Sequence, residues 1–405
     1  MDKQNTMRRR FLVIPFAFML IVCLLFPSVT YAALPYMTNY RGPDSVLVWM
    51  QAAYAPETIL GVDIVVPDPE NPGEMKESNL SMPKDLFIDD NDTIYIADSG
   101  NNRIVVLNPD GTFQRIITVD ESPLSNPQGL HVDQAGNIYV ADTGNTRVVM
   151  IDQNGKLLKE YRLPDSDYIP NDYRFEPIKV AVDKRGYMYI VSLGQYHGLL
   201  QLDPDGGFSR FFGTNETPST LMDSLKKIFY TQAMLEKQAR KIPPAITNLA
   251  IDEQGFVYTV SHGQEMTSKQ VKKLNFKGNN FLGSGSEYGS GNNRYGEYRF
   301  VYKDQKPVLA DIAIDELGNF TVIDSSLKFI SQYDAFGNLL FFFAGTDDPS
   351  LSSATPQLGI VQSPSAIDVD SEGRLYILDS YSNMVQVFRL TEFGKLIHTA
   401  NRLTV

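Results

Sequence analysis

Between residues 81 and 390 the apolar residues fall in short runs separated by Gly, Asp, Asn and Pro, the pattern of strands between tight turns. Six of these runs share a template. An apolar pair flanking a small or polar residue closes on Asp89, Asp133, Asp183, Asp252, Asp315 and Asp370. Three residues later stands a turn former, Asp92 or one of Gly136, Gly186, Gly255, Gly318 and Gly373. Six residues later stands Tyr95, Tyr139, Tyr189, Tyr258, Thr321 or Tyr376, and nine residues later Asp98, Asp142, Ser192, Ser261, Asp324 or Asp379.

Each unit therefore predicts a strand, a tight turn, a second strand such as 93–98, a polar turn, and a third strand such as 104–107. The third strand is apolar throughout, so both of its faces need cover. Arranging the units around an axis supplies that cover, because each sheet is buried between two neighbours. The segments 108–111, 152–155 and 203–206, each ending in Gly, read as turns into a fourth strand. Successive units lie 44, 50, 69, 63 and 55 residues apart; the shortest spacing suits one four-stranded blade, and the longer ones carry insertions. The expectation is an all-β chain with a six-bladed β-propeller over residues 81–390.

Two stretches, IleAlaAspSerGlyAsnAsnArgIle at 96–104 and ValAlaAspThrGlyAsnThrArgVal at 140–148, resemble the NHL repeat. The later four units keep the framework and lose the Asn-Arg element, so the resemblance, about 310 residues long, implies an NHL-type propeller and says much less about activity. The last unit lacks an obvious outer strand, and residues 33–80 are expected to supply it from either 44–49 or 59–66, closing the ring. Leu221, Leu225, Ile228, Phe229 and Leu235 predict a helical insertion between two blades, stopped by Pro243 and Pro244. Phe393, Leu396, Ile397, Ala400 and Leu403 predict the start of a short amphipathic C-terminal helix at 391–405. Longer bacterial NHL proteins that resemble this chain continue into a helical-repeat segment and then a membrane domain; the plainer expectation is a helix that caps the propeller from below.

The first residues carry a different signal. Lys3, Arg8, Arg9 and Arg10 precede an apolar run from Phe11 to Phe26, and Thr30-Tyr31-Ala32 ends in small residues. This order reads as a secretory signal peptide over 1–32 and an extracytoplasmic location, secreted or associated with the cell envelope. A run of 16 residues is short of the roughly 20 that span a bilayer. A membrane contact is therefore expected only through an uncut leader or a C-terminal extension. The net charge of −12 grows more negative once the leader is gone, which argues against nucleic acid as a partner. Cys23 is the only cysteine and lies in the leader, so stability rests on packing and strand pairing.

The long inter-blade insertions at 211–246 and 283–309 and the turns after the second strands reach the same face of the disc, where a binding site is expected. Candidate residues there are Tyr196, His197 and His262 in the turns and Tyr295 in the tyrosine-rich 283–298 segment. At the channel mouth stand Asp85, Lys179, Asn248 and Asp311, four places before the blade aspartates, able to hold a polyol or a divalent cation. Gluconolactonase-like propellers, to which the chain is distantly similar, place metal-binding Asp and Asn residues five places before; here those positions are Lys84, Gln128, Ile178, Thr247, Ala310 and Ser365. The resemblance therefore carries over no metal ligands, and no cofactor is expected. The histidine-bound zinc of the amidating lyases among NHL propellers needs three converging ligands; His131, His197, His262 and His398 are too scattered. Arg103 and Arg147 read as structural partners of Asp98 and Asp142. The sequence favours a binding or scaffolding module for a carbohydrate, a cell-wall fragment or a protein partner, with carbohydrate suggested by the sugar-uptake systems that accompany similar bacterial proteins. The alternative is a metal-dependent hydrolase or lyase working at the channel mouth.

Overall fold

The computed structural model describes residues 34, 39–41, 47–49, 51–68, 70–215, 243–261, 270–282, 308–326, 328–344 and 357–403. Six antiparallel sheets, each running from an inner to an outer strand, make up a six-bladed β-propeller. Blade 1 holds Asp85–Ile88, Ile94–Asp98, Arg103–Leu107 and Phe113–Ile117; blade 2 holds Pro127–Val132, Ile138–Asp142, Arg147–Ile151 and Leu157–Tyr161. Blade 3 holds Pro177–Val182, Met188–Ser192, Leu199–Leu202 and Phe208–Phe212, and blade 5 Leu309–Ile314, Phe320–Asp324, Phe329–Tyr333 and Leu339–Ala344. Blade 4 shows three strands among the described residues, Ile246–Ile251, Val257–Ser261 and Val271–Leu274. The predicted helical insertion at 217–244 falls almost wholly outside the described residues.

Blade 6 combines Pro364–Val369, Leu375–Asp379 and Met384–Leu390 with Tyr54–Leu60 from the other end of the chain, paired from Leu390↔Tyr54 to Val385↔Leu60. The closing strand comes from the 33–80 segment but takes in only Ile59 and Leu60 of the run at 59–66 and nothing of 44–49: Leu47–Trp49 pairs with Asn39–Arg41 in a separate hairpin, and Val65–Pro67 pairs with Met75–Glu77. The outer position explains the mismatch, because an edge strand tolerates Pro56 and the exposed Glu57 that break an apolar pattern.

Each repeated residue has a local job. Asp89 Oδ1 accepts from the N–H groups of Asn91 and Thr93, and Asp133, Asp183, Asp315 and Asp370 make the same two bonds in their own turns. The third turn residue needs positive φ, taken by Gly136 at 81° and Gly255 at 84°. The second-strand tyrosine donates to the other carboxylate oxygen, as Tyr189 does to Asp183 at 3.2 Å and Tyr376 to Asp370 at 3.1 Å. The carboxylate nine residues on grips the chain entering its own blade: Asp98 takes the Ser81 N–H, Asp142 the Ser125 N–H and Asp379 the Gln362 N–H, at 2.6–2.7 Å. Arg103 and Arg147 lock that carboxylate through Nε at 2.6 and 2.7 Å and donate onward to the carbonyls of Ser78 and Ser122.

The apolar core is a series of layers between neighbouring blades. Leu86, Ile94 and Ile96 meet Tyr376 and Leu378 between blades 1 and 6, and Val140 and Val149 meet Val106 and Ile117 between blades 2 and 1. Between blades 5 and 6 the layer is aromatic, with Tyr54 5.0 Å from Phe343 and Phe343 5.2 Å from Phe388. The C-terminal helix α1 spans Glu392–Arg402 and is capped by Thr391, whose hydroxyl accepts from the Gly394 N–H. Gly394 seats it: a Cβ there would lie 2.3 Å from the Ala53 carbonyl. His398 Nε2 donates to Gln332 Oε1 at 2.7 Å, and the same amide donates to the Tyr54 hydroxyl. The helix docks by Gly394, His398 and Asn401, so Leu396 and Leu403 of its apolar stripe point to solvent, at 68% and 83% exposure. Among the described residues no helix is long and apolar enough to cross a membrane.

Candidate functional site

The inner strands set up two rings of side chains around the propeller axis. The residues four places before the blade aspartates form one ring: Asp85, Gly129, Lys179, Asn248, Asp311 and Ala366. The residues two places further along form the next: Phe87, His131, Ala181, Ala250, Ala313 and Asp368.

The first ring is closed to solvent, which corrects the expectation that Asp85, Lys179, Asn248 and Asp311 line a hydrated rim. Asp85 and Asp311 are each 1% exposed. Their oxygens are taken up in holding blades together: Asp85 accepts from the Leu130 N–H of blade 2 and Asp311 from the Ile367 N–H of blade 6, both at 2.8 Å. Asn248 does the same work with its amide, donating to the Ala310 carbonyl of blade 5 at 3.1 Å. Lys179 reaches past blade 2 to Asp85, Nζ to Oδ1 2.6 Å. Blades 2 and 3 approach so closely there that a Cβ on Gly129 would lie 2.6 Å from the Ile178 carbonyl and 2.7 Å from Lys179 Cα. Burial opposes the charge on Lys179, and the carboxylates of Asp85 and Asp311 overcome it, raising its pKa.

The second ring is open. All six of its members, with Lys179 behind them, line a cavity of about 540 Å³. The space exists because blades 3, 4 and 5 present only alanine, while blades 6, 1 and 2 present Asp368, Phe87 and His131. Phe87 meets His131 edge-on with centroids 5.0 Å apart. Asp368 accepts from the N–H groups of Ile88 and Val369 at 2.8 and 2.9 Å. Burial pushes its carboxyl up to about 7 despite those bonds, and burial likewise pushes Asp311 up to about 7. Burial, helped by the Lys179 charge, pushes His131 down to about 4, so its imidazole is neutral at neutral pH.

The mouth of this funnel is formed by the turns joining inner to second strands, with Asp90, Gln134, Lys184 and Glu253 at its rim. It therefore opens on the side of the disc opposite the turns joining second to third strands. On that other side, Tyr196 and His197 do come together, stacked at 4.3 Å, with Phe211 and Tyr173 beside His197 at 5.2 and 6.0 Å. They occupy the second-to-third turn of blade 3 and are absent from the funnel lining. His262 and Tyr295 lie outside the described residues. Phe87, Ala250 and Asp368 were not singled out from the sequence; stepping two residues along the inner strands from the Asp85 ring would have found them.

Residues 76–171 match the family model of the SMP-30/gluconolactonase/LRE-like region. That stretch contains the whole of blades 1 and 2 and is less than half of the chain. Among solved structures, a virginiamycin B lyase from Staphylococcus aureus is 12% identical over 82% of this chain and 89% of that one, with a TM-score of 0.47. A gluconolactonase from Xanthomonas campestris is 12% identical over 77% and 87%, with a TM-score of 0.47. A protein of unknown function from Bacteroides thetaiotaomicron is 14% identical over 86% and 80%, with a TM-score of 0.49. No curated protein matches the chain significantly. Among the described residues no three His, Cys, Asp or Glu side chains converge to hold a metal.

Proposed function

We propose that the protein is a small-molecule-binding propeller whose ligand enters the funnel on the inner-turn face. The observation that carries this reading is the six-residue ring with one half alanine and the other half Phe87, His131 and Asp368 around about 540 Å³. That volume lies within the roughly 300–1,000 Å³ of ligand pockets, which pair apolar walls with a few polar groups. An aromatic face for stacking, a neutral imidazole and a carboxyl suit a ring-shaped polyhydroxylated molecule, a sugar or a fragment of a sugar polymer. The basic, apolar, then small-residue order of 1–32 supports an extracytoplasmic setting for such a binder.

The test fills the space. Ala250→Leu adds bulk on the alanine side of the ring, two blades from Asp368. Wild-type protein is expected to gain melting temperature with a bound monosaccharide, since a ligand that binds only the folded state stabilises it. The Ala250→Leu protein is expected to fold and gain nothing; an undiminished shift in that variant refutes the site.

The match over 76–171 favours a second reading, hydrolysis or elimination in the same funnel, with Asp368 as the acid–base group. Acid release from a sugar lactone, followed by titration, decides it: release that Asp368→Asn abolishes makes the protein an enzyme, and release at the uncatalysed rate leaves the binding reading in place.

A further inference from the structure

The funnel has a charge signature as well as a shape. Asp90, Asp133, Asp183, Asp252, Glu253 and Asp368 line it, against Lys179 and Lys184. Two of the acids have outside partners, Arg185 at 2.6 Å from Asp183 and Lys273 at 3.8 Å from Asp252. The ammonium of Lys179 is compensated by Asp85 at 2.6 Å and by the field of Asp311 behind it. What remains facing the cavity is negative: Asp90, Asp133 and Glu253 around the mouth and Asp368 in the ring, with Lys184 alone opposing them among the described residues. Low-dielectric walls focus such a field into the cleft. Phe87 lines the same cavity and meets His131 edge-on.

We infer that the ligand of this funnel carries a protonated amine, placed at Asp368, and that anionic analogues are rejected. The inference rests on the funnel reading above and narrows it to amino-bearing ring compounds, of which an unacetylated amino sugar is the simplest. An ammonium beside Asp368 offers its carboxylate a charged hydrogen bond that a sugar hydroxyl cannot match. It also favours the ionised carboxylate, so binding drives a proton off Asp368. The charged groups acting on Asp368 are Lys179, which favours its ionised form, and Asp85, which opposes it, with the neutral imidazole of His131 lining the same cavity on the next blade but one. None of them supplies a free positive charge that an amine would duplicate.

The experiment compares glucosamine, glucose and glucuronate by calorimetry at low salt and pH 7, on the full chain. Glucosamine is expected to bind about tenfold more tightly than glucose, a charged against a neutral hydrogen bond, with glucuronate weakest. The preference is expected to shrink as salt is raised and at pH 5.5, where Asp368 holds its proton. Asp368→Asn is expected to bring the ratio of glucosamine to glucose affinity close to one. Should that variant not fold, the wild-type salt and pH series test the same charge contact. Equal binding of all three sugars, blocked by Ala250→Leu, keeps the funnel and overturns the amine. Tightest binding of glucuronate overturns it as well. No binding of any sugar, with Ala250→Leu indistinguishable from wild type, overturns both.

Discussion

Lys179 shows how much one side chain can settle at this axis. It is the one cation in the ring that holds Asp85, Asn248 and Asp311, and its partner Asp85 is also committed to the Leu130 N–H. Removing it leaves Asp85 buried with its charge unanswered, which costs about 3 kcal/mol or more. Lys179→Met is therefore expected to lower stability by that amount in urea unfolding. Adding Asp85→Asn to it is expected to restore part of the loss, because the orphaned charge goes with the second change. A single effect near zero in Lys179→Met would mean that water reaches the pair. At the same scale the sequence was only half legible. The types Asp, Lys and Asn four places before the blade aspartates announced a polar axis, yet their role in joining blades depends on which neighbouring N–H lies opposite, and register between blades is not written in any one repeat. The cavity was harder still to read, because its cause is a lack of side chain at Ala181, Ala250 and Ala313, and alanine in a buried strand carries no chemical signal.

The elements of the propeller were legible where one residue does one local job. Asp-x-x-Gly-x-x-Tyr recurs because the aspartate ties the turn, the glycine bends it and the tyrosine returns to the aspartate. Gly255 isolates the bending step: its φ is +84° and an added Cβ would touch nothing within 4 Å. Gly255→Ala is expected to cost about 1 kcal/mol through backbone conformation alone, measured by urea unfolding. A neutral result would show that the turn relaxes. Tyr54–Leu60 was misplaced because it has no turn of this kind beside it; its pairing with Met384–Leu390 joins residues more than 300 apart and is enforced by the empty edge it fills. The helix α1 was legible as a helix and not in its seating, since backbone contact at Gly394 outweighs the apolar stripe that its spacing advertises.

Over the whole molecule, Asp311 and Asp368 put a slope on stability. Both have a folded-state pKa near 7 against 3.8 for an ordinary aspartate, so between those values the folded chain holds protons that the unfolded chain has released. Acidification through that window favours the folded form, and the advantage is lost as pH rises through 7. The melting temperature is expected to rise from pH 8 toward pH 5, and Asp311→Asn with Asp368→Asn is expected to flatten the rise. A profile unchanged by both substitutions would place the protons elsewhere. The closure of blade 6 has a different kind of consequence, one of timing. The strand at 54–60 leaves the ribosome among the first residues of the propeller, and its partner at 384–390 among the last. Five blades can pair without it, with the earliest strand waiting unpaired throughout, so the ring closes only once residues 384–390 are in place. A chain interrupted anywhere before residue 384 is left with an unsealed sheet edge, open to pairing with another chain.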